Sequence, residues 1–129
     1  MGSRGTVFKS QIFISFLSFV ALLFVNSLSY GQWTSFPPPF VSSGWDVSGV
    51  YFTSSGEGWA VGGDNVNRRG ALLHYSEGAW SSVTPPSVSA DWDLSGIYFT
   101  SPSEGWAVGE DSSNSRGVLL HFILPTTSK

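Results

Sequence analysis

The chain has 129 residues, no cysteine, a formal net charge of −3 and 12% charged residues, whereas typical soluble domains have about 25%. Its aromatic content of 16%, including six tryptophans, excludes a disordered chain, and the lack of cysteine excludes disulfides, thiolate metal sites and a thiol nucleophile. The negative charge argues against nucleic-acid binding, which needs clustered lysine and arginine to contact the phosphate backbone.

Residues 1–31 are predicted to be a secretory signal peptide that forms an N-terminal signal helix. Two basic residues precede an apolar run at residues 12–25, and small residues follow at Ser29 and Gly31, an order typical of export signals. The 14-residue run is shorter than the roughly 20 residues that span a bilayer. We therefore expect cleavage after Ser29 or Gly31 and a secreted or periplasmic protein. An uncleaved membrane anchor and a buried helix are the alternatives.

The rest of the chain, with four basic residues against nine acids, is one 47-residue unit written twice. Residues 45–75 align with residues 92–122 without a gap, and 21 of the 31 aligned residues are identical. The match extends backwards at the same offset. The predicted units are therefore residues 31–77 and 78–124, followed by a tail of residues 125–129. Repeats of this length bury their apolar faces against neighbouring repeats.

Each unit is predicted to contain four short strands. In the first unit these are Trp33–Phe36, Ser48–Thr53, Trp59–Gly62 and Ala71–Tyr75, which are rich in Val, Tyr, Phe and Trp and lie between Gly, Ser, Pro and Asn clusters. No stretch has a helical apolar period of useful length. The predicted fold is all-β, with two four-stranded antiparallel propeller-blade-like repeats of 47 residues after the signal helix, since propeller blades have about 40 to 50 residues.

Both units contain the motif GWAVG, at residues 58–62 and 105–109, inside the longer pattern YFTSxxEGWAVG. This pattern resembles the repeat of Asp-box (bacterial-neuraminidase-repeat) propellers, in particular the photosystem II stability and assembly factor-like repeat proteins. The resemblance implies a propeller fold and covers about 90 residues. Two features depart from the family. The Asp-Gly-Gly-x-Thr-Trp turn reads Ser-Glu-Gly-Ala-Trp at residues 76–80, and there are two repeats instead of several.

Two blade-like units cannot close a ring by themselves, because propellers typically need four to eight blades. Three arrangements are compatible with two units. They are assembly of several copies into a propeller as a homo-oligomer, truncation of a longer protein, and packing of the two sheets as a small sandwich. Small domains without disulfides or metals are marginally stable, which favours assembly or truncation over a stable monomer.

Ten residues are predicted to share one end of the sheets, where the loop between the first and second strands of each unit meets the loop between its third and fourth strands. An aromatic plate beside Asp, Asn and Arg suits a sugar or a peptide through stacking and polar contacts. The structural alternative is that Trp-Asp caps a turn and that Asp pairs with Arg across its own loop. The candidate ligand-binding residues are Trp45, Asp46, Asp64, Asn67, Arg69, Trp92, Asp93, Asp111, Asn114 and Arg116.

Other side chains with chemical potential have structural explanations. The loops after Asp64 and Asp111 offer oxygen ligands for Ca²⁺, but they lack EF-hand spacing, so a hydrogen-bonded loop is favoured and no metal is expected. His74 and His121, inside the last strand of each unit, are expected to be hydrogen-bonded residues between sheets rather than general bases. Trp59 and its counterpart Trp106 are expected to pack between blades.

A sialidase-like enzyme needs an arginine cluster and a tyrosine nucleophile, and only Arg68, Arg69 and Arg116 follow the signal segment. We therefore expect neither catalysis nor a cofactor. The leading hypothesis is an exported, non-enzymatic β-propeller-type repeat protein that binds or scaffolds at a protein or glycan surface. The alternatives are a carbohydrate-binding lectin that uses Trp45 and Trp92, and a fragment of a sialidase-like glycoside hydrolase. A role in photosystem assembly would rest on resemblance alone.

Overall fold

The computed structural model describes residues 30–127, which contain seven strands and no helix. This part of the chain is all-β, as predicted, and the predicted signal helix lies outside the described residues. Among the described residues, 30–36 and 37–127 belong to two different units, and the second unit holds all seven strands. Within residues 30–127 no helix has the length and apolarity to cross a membrane.

The first sheet is a four-stranded antiparallel meander. Its strands are neighbours in space as in sequence: β1 (Gly49–Ser54), β2 (Glu57–Asp64), β3 (Arg69–Ser76) and β4 (Ala79–Val83). The connection between β3 and β4 is Glu77–Gly78, with φ angles of 52° and 80°. Positive φ at both residues is the geometry of a two-residue hairpin turn that matches the strand twist. A tight two-residue turn therefore joins β3 to β4.

The second sheet has three antiparallel strands instead of the predicted four. They are β5 (Trp92–Ser101), β6 (Glu104–Asp111) and β7 (Arg116–Ile123), in that spatial order. Pairing in the two sheets is equivalent, because Trp59 lies opposite His74 in the first sheet and Trp106 opposite His121 in the second.

The prediction of a strand at Trp33–Phe36 is wrong, because this segment has no strand conformation and Trp33 is fully exposed. The equivalent residues 80–83 lie in β4, which pairs with the third strand of the sheet that precedes it in sequence. A strand needs a partner for its backbone N–H and C=O groups, and the described residues contain no sheet ahead of residue 33. For the same reason the repeat boundary at residues 77/78 is not the sheet boundary, since β4 opens the second unit but completes the first sheet.

The two sheets pack against each other through side chains that alternate along the strands. The ring centroid of Trp59 on the first sheet lies 6.2 Å from that of Phe99 and 5.2 Å from that of Phe122 on the second. Trp59 therefore packs between the sheets, as predicted, whereas the same prediction for Trp106 is wrong, because Trp106 is 41% exposed on the side of the second sheet that faces away from the first. A hydrogen bond from Ser48 Oγ to the Leu94 carbonyl oxygen, at 2.7 Å, also joins them. The buried core cluster consists of Val61, Trp92, Leu94, Ala107 and Val118.

Each sheet contacts the other through only one of its two faces, so each keeps an opposite apolar face that is uncovered. Val61 is 1% exposed in the contact between the sheets, whereas its counterpart Val108 is 42% exposed; Phe99 is 3% exposed and its counterpart Phe52 is 46% exposed. We call residues Val47, Val50 and Phe52 the first uncovered face, and Trp106, Val108 and Leu119 the second uncovered face. Their counterparts, 47 residues away, are Leu94, Ile97 and Phe99, and Trp59, Val61 and Leu72.

The last glycine of each GWAVG motif is required by a close backbone approach. A Cβ atom on Gly62 would overlap the carbonyl oxygen of Asp46, and one on Gly109 would overlap that of Asp93. Asp46 lies just before β1, and Asp93 is the second residue of β5. The motif therefore has a geometric reason that is the same in both units.

Candidate functional site

The loop between β2 and β3 is organised by Asp64, the buried last residue of β2. Its Oδ1 accepts hydrogen bonds from the backbone N–H groups of Val66 and Asn67, both at 3.2 Å, and its Oδ2 accepts one from Asn67 Nδ2 at 2.6 Å. Arg69 Nε lies 3.9 Å from Oδ2. Burial raises the pKa of Asp64, but hydrogen bonds from Asn67 and Ser42 outweigh burial and hold the pKa below its ordinary value.

Asp111, at the end of β6, repeats this arrangement with more donors and is completely buried. Its carboxylate accepts hydrogen bonds from Ser113 Oγ at 2.6 Å, Ser89 Oγ at 2.8 Å, Asn114 Nδ2 at 2.8 Å and Arg116 Nε at 3.0 Å. The pKa of Asp111 is lowered well below its ordinary value, chiefly by the bond from Ser113, although burial opposes this. Hydrogen bonds within the chain thus engage both carboxylates.

The structure brings the first five predicted site residues together at one end of the first sheet. Trp45 pairs with Asp64 through an isolated β-bridge. The backbone N–H of Asp46 donates to the Gly63 carbonyl oxygen at 2.9 Å, and Asp46 Oδ1 accepts a bond from the Gly63 N–H at 3.0 Å. Asn67 and Arg69 complete the group through their contacts with Asp64.

The other five predicted site residues meet in the same way at the end of the second sheet. Trp92 lies opposite Asp111, and Asp93 lies opposite Glu110, in the ladder between β5 and β6. The two groups approach each other at Gly63, where a Cβ atom would lie 3.6 Å from Asp93 Cβ and 3.7 Å from the Asp46 carboxylate oxygens. Asp46 and Asp93 are both exposed there and make this edge acidic.

The predicted pair of stacking tryptophans is corrected by the burial of Trp92. This residue is 3% exposed and belongs to the core cluster. A Cβ atom on Gly70 would lie 2.6 Å from Trp92 Cζ3, so the indole fills the slot that the missing side chain leaves on β3. Trp92 therefore offers no surface to a sugar ring. Trp45, which is half-buried, is the remaining aromatic candidate at this end.

The arginines among the described residues all lie beside carboxylates. Arg68 Nη2 donates to Asp91 Oδ2 at 2.7 Å, which raises the pKa of Arg68. The other two arginines contact the buried aspartates of their own loops. They form separate ion pairs and not the converging cluster that would bind a substrate carboxylate.

A repeated His–Glu pair was missed by the sequence reasoning. His121 Nε2 lies 3.0 Å from Glu104 Oε1, and the His121 ring stacks on Trp106 with centroids 3.9 Å apart. In the first sheet, His74 Nε2 lies 3.5 Å from Glu57 Oε1, where it forms no hydrogen bond. The signal was present, because a glutamate precedes the histidine by 17 residues in both units.

An apolar cleft of about 280 Å³ lies between the sheets beside β7. Its lining includes Trp59, Phe99, Gly105, Leu119 and Phe122. No polar motif predicted this cleft, since it arises where the two sheets meet. Among residues 30–127, no group of three or more His, Asp or Glu side chains is placed to hold a metal ion.

Comparisons with known proteins match the chain to no protein-family model, no curated protein and no solved structure. The described part of the chain defines an all-β fold with two antiparallel sheets of four and three strands. The resemblance to Asp-box propellers rests on the GWAVG pattern and stays a prediction.

Proposed function

We propose that this is an exported, non-enzymatic, propeller-type repeat protein that binds or scaffolds other proteins through its two uncovered sheet faces. One observation carries the proposal: residue positions that are buried where the two sheets meet are exposed on the outer faces, as Val61 and Val108 illustrate. Contiguous exposed apolar side chains commonly mark interaction sites. The export component depends on the signal pattern at residues 1–31.

The side chains that a catalytic site would use are engaged in contacts within the chain, which supports a binding role. Asp64 and Asp111 accept hydrogen bonds from their own loops, and Arg69 and Arg116 lie beside them. A sialidase-like site needs arginines that converge on a substrate carboxylate and a tyrosine nucleophile with a glutamate partner. Tyr51 instead packs its ring against aromatic neighbours between the sheets.

A lectin is the second candidate, and one observation favours it. Trp45 is half-buried beside the exposed carboxylate of Asp46, and the Asp93 carboxylate lies nearby. A single indole with acidic neighbours supports sugar stacking less strongly than the predicted pair of tryptophans, because Trp92 is buried. A protein surface is therefore the preferred partner over a glycan.

The test uses the full chain, expressed with its own leader and collected after export. Chemical crosslinking of wild-type protein should yield complexes that are strongly reduced by Phe52→Asp and by Leu119→Asp, because each substitution places a charge on an uncovered face. Ser55→Asp, in the exposed turn between β1 and β2, is the matched control and should crosslink like the wild type.

Two further assays separate the alternatives. Turnover of a fluorogenic sialoside by the wild-type chain would replace the proposal with the hydrolase. Binding to a glycan array that is lost in Trp45→Ala but kept in Leu119→Asp would replace it with the lectin. Wild-type protein that forms no crosslinked complex would also contradict the proposal.

A further inference from the structure

We infer that the partner of the uncovered faces is a second copy of this chain, docked head-to-tail. The second copy adds its residues 32–36 along β7 as the fourth strand of the second sheet, and places its Trp45 over Gly117. This inference rests on the proposed function, because it assigns a partner to the same faces. Three independent features of the structure support it.

The first feature is a missing strand with a matching donor. β4 completes the first sheet by pairing with β3, with Tyr75 opposite Trp80. The repeat offset makes residues 32–36 the counterpart of β4 and β7 the counterpart of β3, so Phe122 would face Trp33 of the second copy. Residues 32–36 carry no strand, and the outer edge of β7 pairs with no described strand. Such an edge is a template for an added strand.

The second feature is the apolar cleft beside β7. The Trp80 ring packs 5.2 Å from that of Tyr75 and 5.8 Å from that of Phe52. The counterparts of these two rings, Phe122 and Phe99, both line the cleft. An added strand in the same register would bring Trp33 of the second copy into this cleft.

The third feature is an empty slot over Gly117. Trp92 covers Gly70 in the first sheet, but a Cβ atom on Gly117, the counterpart of Gly70, would have only the Gly109 carbonyl oxygen as a neighbour, at 4.0 Å. Trp45 is the counterpart of Trp92. The number of residues from β4 to Trp92 equals that from residue 32 to Trp45, so one copy can occupy both places.

Docking of a second copy in this way would form the same kind of contact that already joins the two sheets within one chain. The first uncovered face of one copy would contact the second uncovered face of the next. The residues in this contact are the repeat counterparts of those that join the two sheets within one chain. Head-to-tail contacts between unlike faces close into rings or continue as filaments. With two sheets per copy and four to eight blades per propeller, a closed ring would hold about two to four copies.

Sedimentation mass of the exported full chain tests the inference at the acceptor end. Wild type should have the mass of two to four chains, and Gly117→Leu should have the mass of one, because its side chain fills the slot. Gly56→Leu is the matched control: a Cβ atom on Gly56 has nothing within 4 Å and is thus as free of contacts as one on Gly117, but Gly56 lies in the turn between β1 and β2. It should keep the wild-type mass.

The donor end is tested with Trp33→Asp, which changes an exposed residue outside all seven strands. This variant should also have the mass of one chain, and it keeps the test valid if Gly117→Leu misfolds. An equimolar mixture of the two variants should form a dimer with one interface, because each retains the end that the other lacks. A mixture that stays monomeric would overturn the head-to-tail arrangement.

The outcomes also separate this inference from the proposed function. Wild-type protein that sediments as one chain at tens of micromolar would overturn self-association, and wild-type mass in Trp33→Asp would overturn the added strand at residues 32–36. If that monomer still formed crosslinks that Leu119→Asp removes, the uncovered faces would bind another protein and the proposed function would stand. If no crosslinks formed, both would fail.

Discussion

The two sheets carry nearly the same sequence, yet they bury different residues. Phe52 and Phe99 occupy the same position of the repeat, as do Val61 and Val108, and in each pair only the member in the contact between the sheets is buried. Residue type therefore does not determine burial here; position in the stack does. Interactions inside one sheet should be equivalent in both units, whereas interactions between sheets should not.

The largest effects are expected where the two units are equivalent. Gly62→Ala and Gly109→Ala would each drive a Cβ atom into a carbonyl oxygen of the same sheet. Because backbone cannot move aside as a flexible side chain can, each should lower the free energy of unfolding by at least about 4 kcal/mol. Urea denaturation followed by tryptophan fluorescence measures this. A large loss in only one variant would contradict the equivalence of the two sheets.

The next largest loss of stability depends on whether a residue lies in the contact between the two sheets. Phe99→Ala should cost about 3 to 4 kcal/mol, because the Phe99 ring is buried against Tyr51 and Trp59. Phe52→Ala should cost only about 1 kcal/mol, because half of its ring is already in water. Both should be measured by urea denaturation in the Gly117→Leu background, where a second copy cannot cover Phe52. Equal losses would show that the faces are not distinguished by burial.

Substitution by alanine should change stability in opposite directions at Gly70 and at Gly117. Gly70→Ala brings a Cβ atom to 2.6 Å from Trp92 Cζ3 and should cost about 2 kcal/mol. Gly117→Ala meets open space in a strand and should raise stability by about 0.5 kcal/mol, since glycine weakens strand interiors. Thermal unfolding of the two variants in the Trp33→Asp background, where no second copy places its Trp45 over Gly117, measures both changes, and a loss of stability in Gly117→Ala there would contradict an empty slot.

Acid should destabilise both sheets through Asp64 and Asp111. Each carboxyl has a pKa below its ordinary value of 3.8 in the folded chain. The stabilisation is therefore present above about pH 4 and is lost as pH falls through the lower folded pKa. Urea midpoints at pH 6, 4 and 2.5 should fall most over the last step. Asp111→Asn should reduce this dependence more than Asp64→Asn, because Asp111 accepts bonds from more side chains; the opposite ranking would count against that cause.

The smallest effect concerns an ion pair found in one unit alone. Arg68 pairs with Asp91 at the surface, and Ser115 occupies the same repeat position in the second unit. Both residues have positive φ, so the backbone is conserved between the units while the side-chain contact is not. Arg68→Met should lower the urea midpoint only slightly, and the difference from wild type should shrink further in 1 M salt. A drop as large as that of Phe99→Ala would assign Arg68 a larger part in joining the sheets.

Local patterns predicted most of the fold. The predicted runs Ser48–Thr53 and Ala71–Tyr75 fall in β1 and β3, apart from Ser48, because β-branched and aromatic residues between turn residues favour hairpins, and hairpin partners are adjacent in sequence. The segment Trp33–Phe36 has the same composition but no strand, since its pairing depends on a sheet that the local sequence does not contain. The number of strands per sheet therefore could not be read from a single unit.

The placement of the candidate residues at the ends of the sheets was predicted from the sequence, but which of them are exposed was not. Trp45, Asp46 and Asp64 meet at one sheet end because repeat position alone places loops at one end of a meander. The burial of Trp92 depends on Gly70, a residue of the other unit whose side-chain space no motif reveals. The cleft beside β7 arises between two sheets and for the same reason has no sequence signature.

The origin of β4 in the second repeat has a consequence for the order of folding. All pairings inside the first sheet join strands that are consecutive in sequence, so contact order is low and closure of each hairpin should be rapid. The first sheet cannot be completed until residue 83 has been synthesised, which makes the opening of the second repeat the final step of the first. A nascent chain stalled between residues 77 and 83 should therefore be protease-sensitive throughout, and protection should begin only after β4 has emerged.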